Sequence, residues 1–188
     1  MAGSPKGGAL MTCIVGLEFN GKVIIGGDVQ GTGWNSKVIH TQPKVFEKSG
    51  VAFGYTTSYR FGQVLEHGLK NPVVPEDGDE VYRWLITVLV PDISASLKAA
   101  TFEGGGNCLI GIKGQLWELQ NDFSVLRSTL GYRSVGSGTE YAHGSIFQSL
   151  KMMTPTTHDA AEKVVRDAIL CAGTFCPSVG TESELIYV

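Results

Sequence analysis

"TCIVGLEFNGKVIIGGD", Thr12 to Asp28, reads as two apolar runs joined at Asn20-Gly21, a dipeptide that two-residue hairpin turns favour. With Phe19 facing Lys22, Asp28 falls opposite Cys13 and Thr12 opposite Val29. The aspartate therefore arrives within a residue of the threonine. Strict strand alternation sets the two on opposite faces, whereas a bulge at Gly26-Gly27 would re-aim the aspartate. The sequence leaves both arrangements open.

Downstream of the hairpin, Lys37 to Thr41 is a third strand-like piece. Lys44 to Glu47 and Val51 to Thr56 form a further pair around Lys48-Ser49-Gly50. The pattern then changes to helix. Tyr59 to Leu69 carries Phe61, Val64, Leu65 and Leu69 at helical spacing behind Ser58 as N-cap. After the loop Asn71 to Gly78, a longer helix runs from about Asp79 to Ala100, and Pro91 must kink or interrupt it.

Strands return at Cys108–Ile112, Leu116–Gln120 and Tyr132–Val135. Helices follow at Thr139 to Met152 and His158 to Ala172, the second begun by Thr156-Thr157, and a last strand spans Glu184 to Val188. Hairpins dominate and helices come in pairs. That order predicts an α+β fold with helix layers outside packed antiparallel sheets, and it excludes a doubly wound parallel sheet.

Composition bounds the function. The 188 residues suit one domain, 12–188, behind a leader at 1–11 that is a propeptide, an upstream extension or a cloning remnant. A net charge of -3 with no basic cluster argues against nucleic acid. No apolar run is long enough for a membrane span, and the leader has a single charge, Lys6, and no apolar core of a secretory signal. Cys13, Cys108, Cys171 and Cys176 fit no zinc spacing and read as reduced thiols in a cytoplasmic protein. No histidine sits in a metal motif, so neither a catalytic metal nor a cofactor is expected.

Lys44 follows Asp28 by the interval at which Asp28 follows Thr12, and the three residue types make chemical sense together. A threonine hydroxyl is a weak nucleophile until a base takes its proton. The α-amine of a first-residue threonine, with a pKa near about 8, can be that base. A neighbouring lysine ammonium lowers the amine's pKa toward working pH, and a carboxylate holds the lysine charged and in place.

"TCIVGLEFNGKVIIGGDVQGT" resembles the start of a proteasome β-type subunit, most of all the HslV-like proteases. That family opens with a threonine on the first strand of a hairpin. It has GD-x-Q at the end of the second strand and a lysine one short loop and strand later. Thr12, Asp28 and Lys44 fall in that register without a gap. The similarity continues through "KVFEKSGVAFGYTTSYRFGQVLE" and resumes at "SVGSGTEYAHGSI", so its stretches are spread over about two-thirds of the chain.

The resemblance implies the four-layer αββα N-terminal-nucleophile hydrolase fold, with Thr12 attacking the peptide carbonyl. It implies that Ser137 relays the threonine amine's proton (its other reading is a cap on the helix that follows). It also implies that the backbone N–H of Ser58, where the family usually has glycine, serves the oxyanion hole. The late stretch "CAGTFCPSVGTES" has no counterpart of the family's supporting aspartate; Cys176 and Ser178 stand there without an assigned role. Leu10-Met11 stands where self-processing precursors usually carry glycine, which argues against self-cutting before Thr12: either Met11 is the true start and is removed, or the leader stays on and the protein is inactive.

Three functions follow. The first is a threonine endopeptidase in a self-compartmentalising homo-oligomeric ring, acting on peptides or unfolded proteins, with an ATP-dependent unfoldase as partner by analogy. The second is a catalytically silent scaffold or assembly protein of the same fold that keeps its leader. The third is an amidase on a small substrate.

Overall fold

The computed structural model describes residues 11–32, 37–39, 42–70 and 72–188. Strand β1 (Cys13–Phe19) turns at Asn20-Gly21, both with positive φ, into β2 (Lys22–Asp28). The register is the expected one, Phe19 against Lys22 and Ile14 against Gly27, and it runs through Gly26 and Gly27 without a skipped residue. The hairpin therefore has no bulge there. Thr12 precedes the first strand residue, so strand alternation does not bind it.

The hairpin continues into two short strands, β3 (Gln30–Thr32) and β4 (Lys37–Ile39), which pair with each other. The last two residues of the strand expected over Lys37 to Thr41 lie outside the described residues, as do residues 1–10 of the leader. β5 (Val45–Lys48), β6 (Val51–Tyr55), β7 (Cys108–Ile112), β8 (Gln115–Leu119) and β9 (Val125–Arg127) form one five-stranded antiparallel sheet in that order. β10 (Tyr132–Gly136), β1, β2 and β11 (Ser183–Tyr187) form the other.

The apolar residues sort into three interfaces, and these define four layers. Along β1, Cys13, Val15 and Leu17 pack with α4 (Thr139–Met152) and α5 (His158–Phe175). Ile14 turns the other way, to meet Ile25, Val45, Ala52 and Leu109 between the sheets. The outer face of the second sheet, with Phe53 and Ile110, packs on Phe61 and Leu65 of α1 (Tyr59–Gly68) and on the helical stretch after it. Each fully buried aliphatic side chain contributes about 1.5–3 kcal/mol relative to exposure. The architecture is αββα.

The stretch expected as one helix over Asp79 to Ala100 is segmented. A 3₁₀ turn at Gly78–Glu80 leads into α2 (Val81–Trp84), a π-helical turn at Leu85–Leu89 and α3 (Val90–Ala99). The wide turn sits just ahead of Pro91. Proline offers no N–H to the carbonyl four residues back and its ring crowds that carbonyl, so the ladder widens there.

Candidate active site

Asp28 ends β2 with its carboxylate turned toward the start of β1. Thr12 Oγ1 donates to Asp28 Oδ1, and the same oxygen accepts from Lys44 Nζ at 2.9 Å and from the Cys13 backbone N–H at 2.9 Å. The other oxygen, Oδ2, accepts from the backbone N–H groups of Gln30 at 3.2 Å and Gly180 at 2.9 Å. Lys44 Nζ donates onward to the Gln30 carbonyl. All three side chains are buried, Thr12 at 0%, Asp28 at 1% and Lys44 at 2% exposure. The sequence-predicted group of Thr12, Asp28 and Lys44 is one hydrogen-bonded cluster.

Burial pushes the Lys44 ammonium below its usual range, and the neighbouring Asp28 charge offsets this only in part. The adjacent Cys13 thiol is pushed up to about 12, first by burial and then by Asp28. Cys13 therefore carries almost no thiolate at neutral pH.

Ser137 lies beside Thr12. Its hydroxyl donates to the Thr12 carbonyl oxygen at 3.2 Å and accepts from Ser178 Oγ at 3.2 Å; Ser178 Oγ in turn lies 3.1 Å from Cys176 Sγ. It does not cap the helix that follows, because Gly138 is the N-cap of α4 and no side chain caps that end. Gly136 allows the approach: its φ is 105°, and a Cβ there would stand 2.3 Å from the Thr12 carbonyl oxygen.

Ser58 departs from expectation. Its backbone N–H, expected in the oxyanion hole, donates at 2.9 Å to the carbonyl of Thr56 two residues back. Its hydroxyl caps α1 through the Arg60 N–H at 3.1 Å, as the sequence predicted. The residue between, Thr57, has a φ of 80°.

Gly180 joins the site from 152 residues beyond Asp28, and no local sequence signal announces it. The Tyr59 phenol at the start of α1 is pushed up to about 12, first by burial and then by the Asp28 charge. A cleft of about 480 Å³ opens beside Ser137, lined by Asn107, Glu118, Arg133 and Thr139 among others. A larger cavity, about 740 Å³, lies at the turns around Gly21, Gly50 and Gly114, where no comparable cluster stands. Chemistry, not volume, selects the site.

No family model matches the chain, and no curated protein does. Solved structures do. BPH from Thiobacillus denitrificans, solved alone and in complex with epoxomicin, superposes with a TM-score of 0.77 at 18% identity, over 94% of this chain and 97% of that one. Eukaryotic HslV from Trypanosoma brucei gives 0.72 at 18% identity, over 93% and 98%. The Gly-1 mutant of Anbu from Hyphomicrobium sp. strain MC1 gives 0.66 at 13% identity, over 94% and 81%.

This chain has the HslV fold.

The resemblance read from the amino-terminal block thus extends over nearly the whole architecture. On this HslV fold the buried cluster stands where the first hairpin meets the loop after α5 and the start of β5. Among the described residues, no group of three or more His, Cys, Asp or Glu is placed to hold a metal ion. No helix among them is long and apolar enough to cross a membrane.

Proposed function

We propose that this chain is a threonine-type peptidase in which Thr12, once its bond to Met11 is cut, attacks the peptide carbonyl. The observation that carries this reading is the buried Thr12–Asp28–Lys44 cluster at the root of the first hairpin. A hydroxyl and an ammonium bonded to one carboxylate oxygen, with the freed Thr12 amine as base, would meet the requirements of an activated oxygen nucleophile.

The steps follow from the groups present. The Thr12 oxygen bonds to the substrate carbonyl carbon while its proton passes to the freed Thr12 amine. The tetrahedral intermediate then breaks its C–N bond, and the leaving amine takes that proton. Water attacks the resulting ester and releases the acid. Lys44 disfavours a second positive charge beside it, which keeps the Thr12 amine neutral and able to accept. Asp28 holds Lys44 there. Ser137, with Ser178 behind it, is a hydroxyl path along which the amine's proton moves. Ser58 supplies the oxyanion donor when its N–H turns from Thr56 toward the substrate.

A homo-oligomeric ring that encloses the site accords with exposed Phe147 and Met152 on α4 and exposed Leu170 and Phe175 on α5. Peptides or unfolded proteins are the substrates on this reading, with an ATP-dependent unfoldase as partner. The setting on this reading is cytoplasmic.

The test is mass analysis of native material treated with epoxomicin, the compound with which the structurally similar BPH was solved. The expected result is an adduct on the peptide that begins at Thr12, lost in Lys44→Ala. An amino terminus upstream of Thr12 with no adduct would move the assignment to the silent scaffold.

A further inference from the structure

Thr57 is a β-branched residue at a φ of 80°, a region that such side chains avoid. Most other non-glycine residues with positive φ belong to hairpin turns or helix ends: Asn20, Ser49 and Lys113 each stand directly before a glycine at a hairpin. Thr57 does not. It lies between β6 and α1, one turn from the cluster: Lys44 offers its carbonyl to the Tyr55 N–H at 3.0 Å, and Thr56 and Thr57 follow.

The turn is clamped from one side. The Thr56 N–H and hydroxyl both donate to the Asn107 carbonyl, at 2.9 and 3.1 Å, and the Asn107 N–H donates to Thr57 Oγ1 at 3.3 Å. With Thr57 so held, the Ser58 N–H points back to the Thr56 carbonyl at 2.9 Å. The three-residue turn this closes, around a positive-φ centre, is a rare and strained form. The threonine at its centre carries opposing tendencies. Its branched carbon pushes the turn toward ordinary negative φ, and its hydroxyl, bonded to Asn107, pins it where it is.

We propose that Thr57 is a positioning residue: its hydroxyl, latched to the Asn107 backbone, holds the Ser58 N–H on Thr56 and out of the oxyanion hole until substrate displaces it. This rests on the peptidase reading and adds a control on its acylation step. Rotation of the Thr57–Ser58 peptide breaks the Ser58–Thr56 bond and presents the N–H to a carbonyl held at Thr12. Without the hydroxyl, the branched side chain favours that rotation.

Thr57→Val keeps the branching and removes the hydroxyl; Thr57→Ser keeps the hydroxyl. Thr57→Val removes the Asn107 bond and also the 3.2 Å contact between the Thr56 and Thr57 hydroxyls. In the full-length chain, hydrogen exchange at the Ser58 amide is therefore expected to be at least about fivefold faster in Thr57→Val. It should stay within about twofold of the parent in Thr57→Ser. In native material with Thr12 exposed, the limiting rate of epoxomicin addition should rise in Thr57→Val by a similar factor, with the inhibitor's initial binding constant unchanged. A destabilised variant would lose rate instead. Equal protection of the Ser58 amide in Thr57→Val overturns the latch, whatever the activity. Faster exchange with unchanged or slower addition, in protein whose parent reacts, overturns its role in acylation and leaves the peptidase reading standing. Absence of addition in parent and variant alike overturns the peptidase reading and this inference with it.

Discussion

Asp28 accepts five hydrogen bonds, from Thr12, Cys13, Lys44, Gln30 and Gly180, and one of the five donors is a charged group as buried as itself. Removing one partner of such a pair leaves the other charge without its counter-ion, a loss of about 3–5 kcal/mol. Lys44→Met should lower unfolding free energy in urea by that amount. Asp28→Asn combined with Lys44→Met should recover part of it, because the stranded charge is then gone. The pH dependence has a definite sign. Burial sets the folded Lys44 pKa below the ordinary 10.5, so between the two values the unfolded chain binds more protons and stability rises with pH. The ammonium that the proposed acylation needs is lost over the same window. Acylation should therefore fall on the alkaline side while stability climbs, and Lys44→Met should flatten the stability rise. A parallel fall of both would overturn the charged role given to Lys44. Thr12, Asp28 and Lys44 were legible because a hairpin turn and a regular interval carry them. Gly180 and the Asn107 clamp were not, because backbone groups from distant loops leave no residue-type signature.

At the scale of elements, legibility follows the strength of the local signal. α4 spans the predicted residues, and α5 begins where Thr157 caps it, its hydroxyl accepting from the Ala160 N–H at 3.2 Å. Thr157→Ala should cost about 1 kcal/mol, read as a lower thermal midpoint, and Thr157→Ser should restore most of it. The three-residue strands β3 and β9 escaped the sequence reading because so short a run shows no alternation. The π-helical turn ahead of Pro91 escaped it for another reason. Proline announces that a helix must yield, but packing decides whether it bends, breaks or widens. Ser137 shows the same contest. A hydroxyl before a helix suggests a cap, yet the Thr12 carbonyl took it.

Across the whole molecule, a helix on the outer layer bears on the carboxylate at the sheet end. Gly173 of α5 lies against the loop that carries Gly180: a Cβ added there would stand 2.4 Å from the Gly180 carbonyl oxygen and 2.9 Å from the Thr181 nitrogen. Both neighbours are backbone, so the loop must move. That loop supplies the Gly180 N–H to Asp28 Oδ2 at 2.9 Å. Gly173→Ala should therefore weaken the cluster from a distance, lowering both the thermal midpoint and the rate of Thr12 acylation, although it touches none of Thr12, Asp28 or Lys44. The control is Gly144 of α4, where an added Cβ meets nothing within 4 Å. Glycine in a helix interior is worse than alanine by about 1 kcal/mol, so Gly144→Ala should raise the midpoint and leave acylation unchanged. The same substitution in neighbouring helices then has opposite effects. Should Gly173→Ala behave as Gly144→Ala does, the loop after α5 is not holding Asp28, and the four layers do not set the geometry of the site in the way the contacts require.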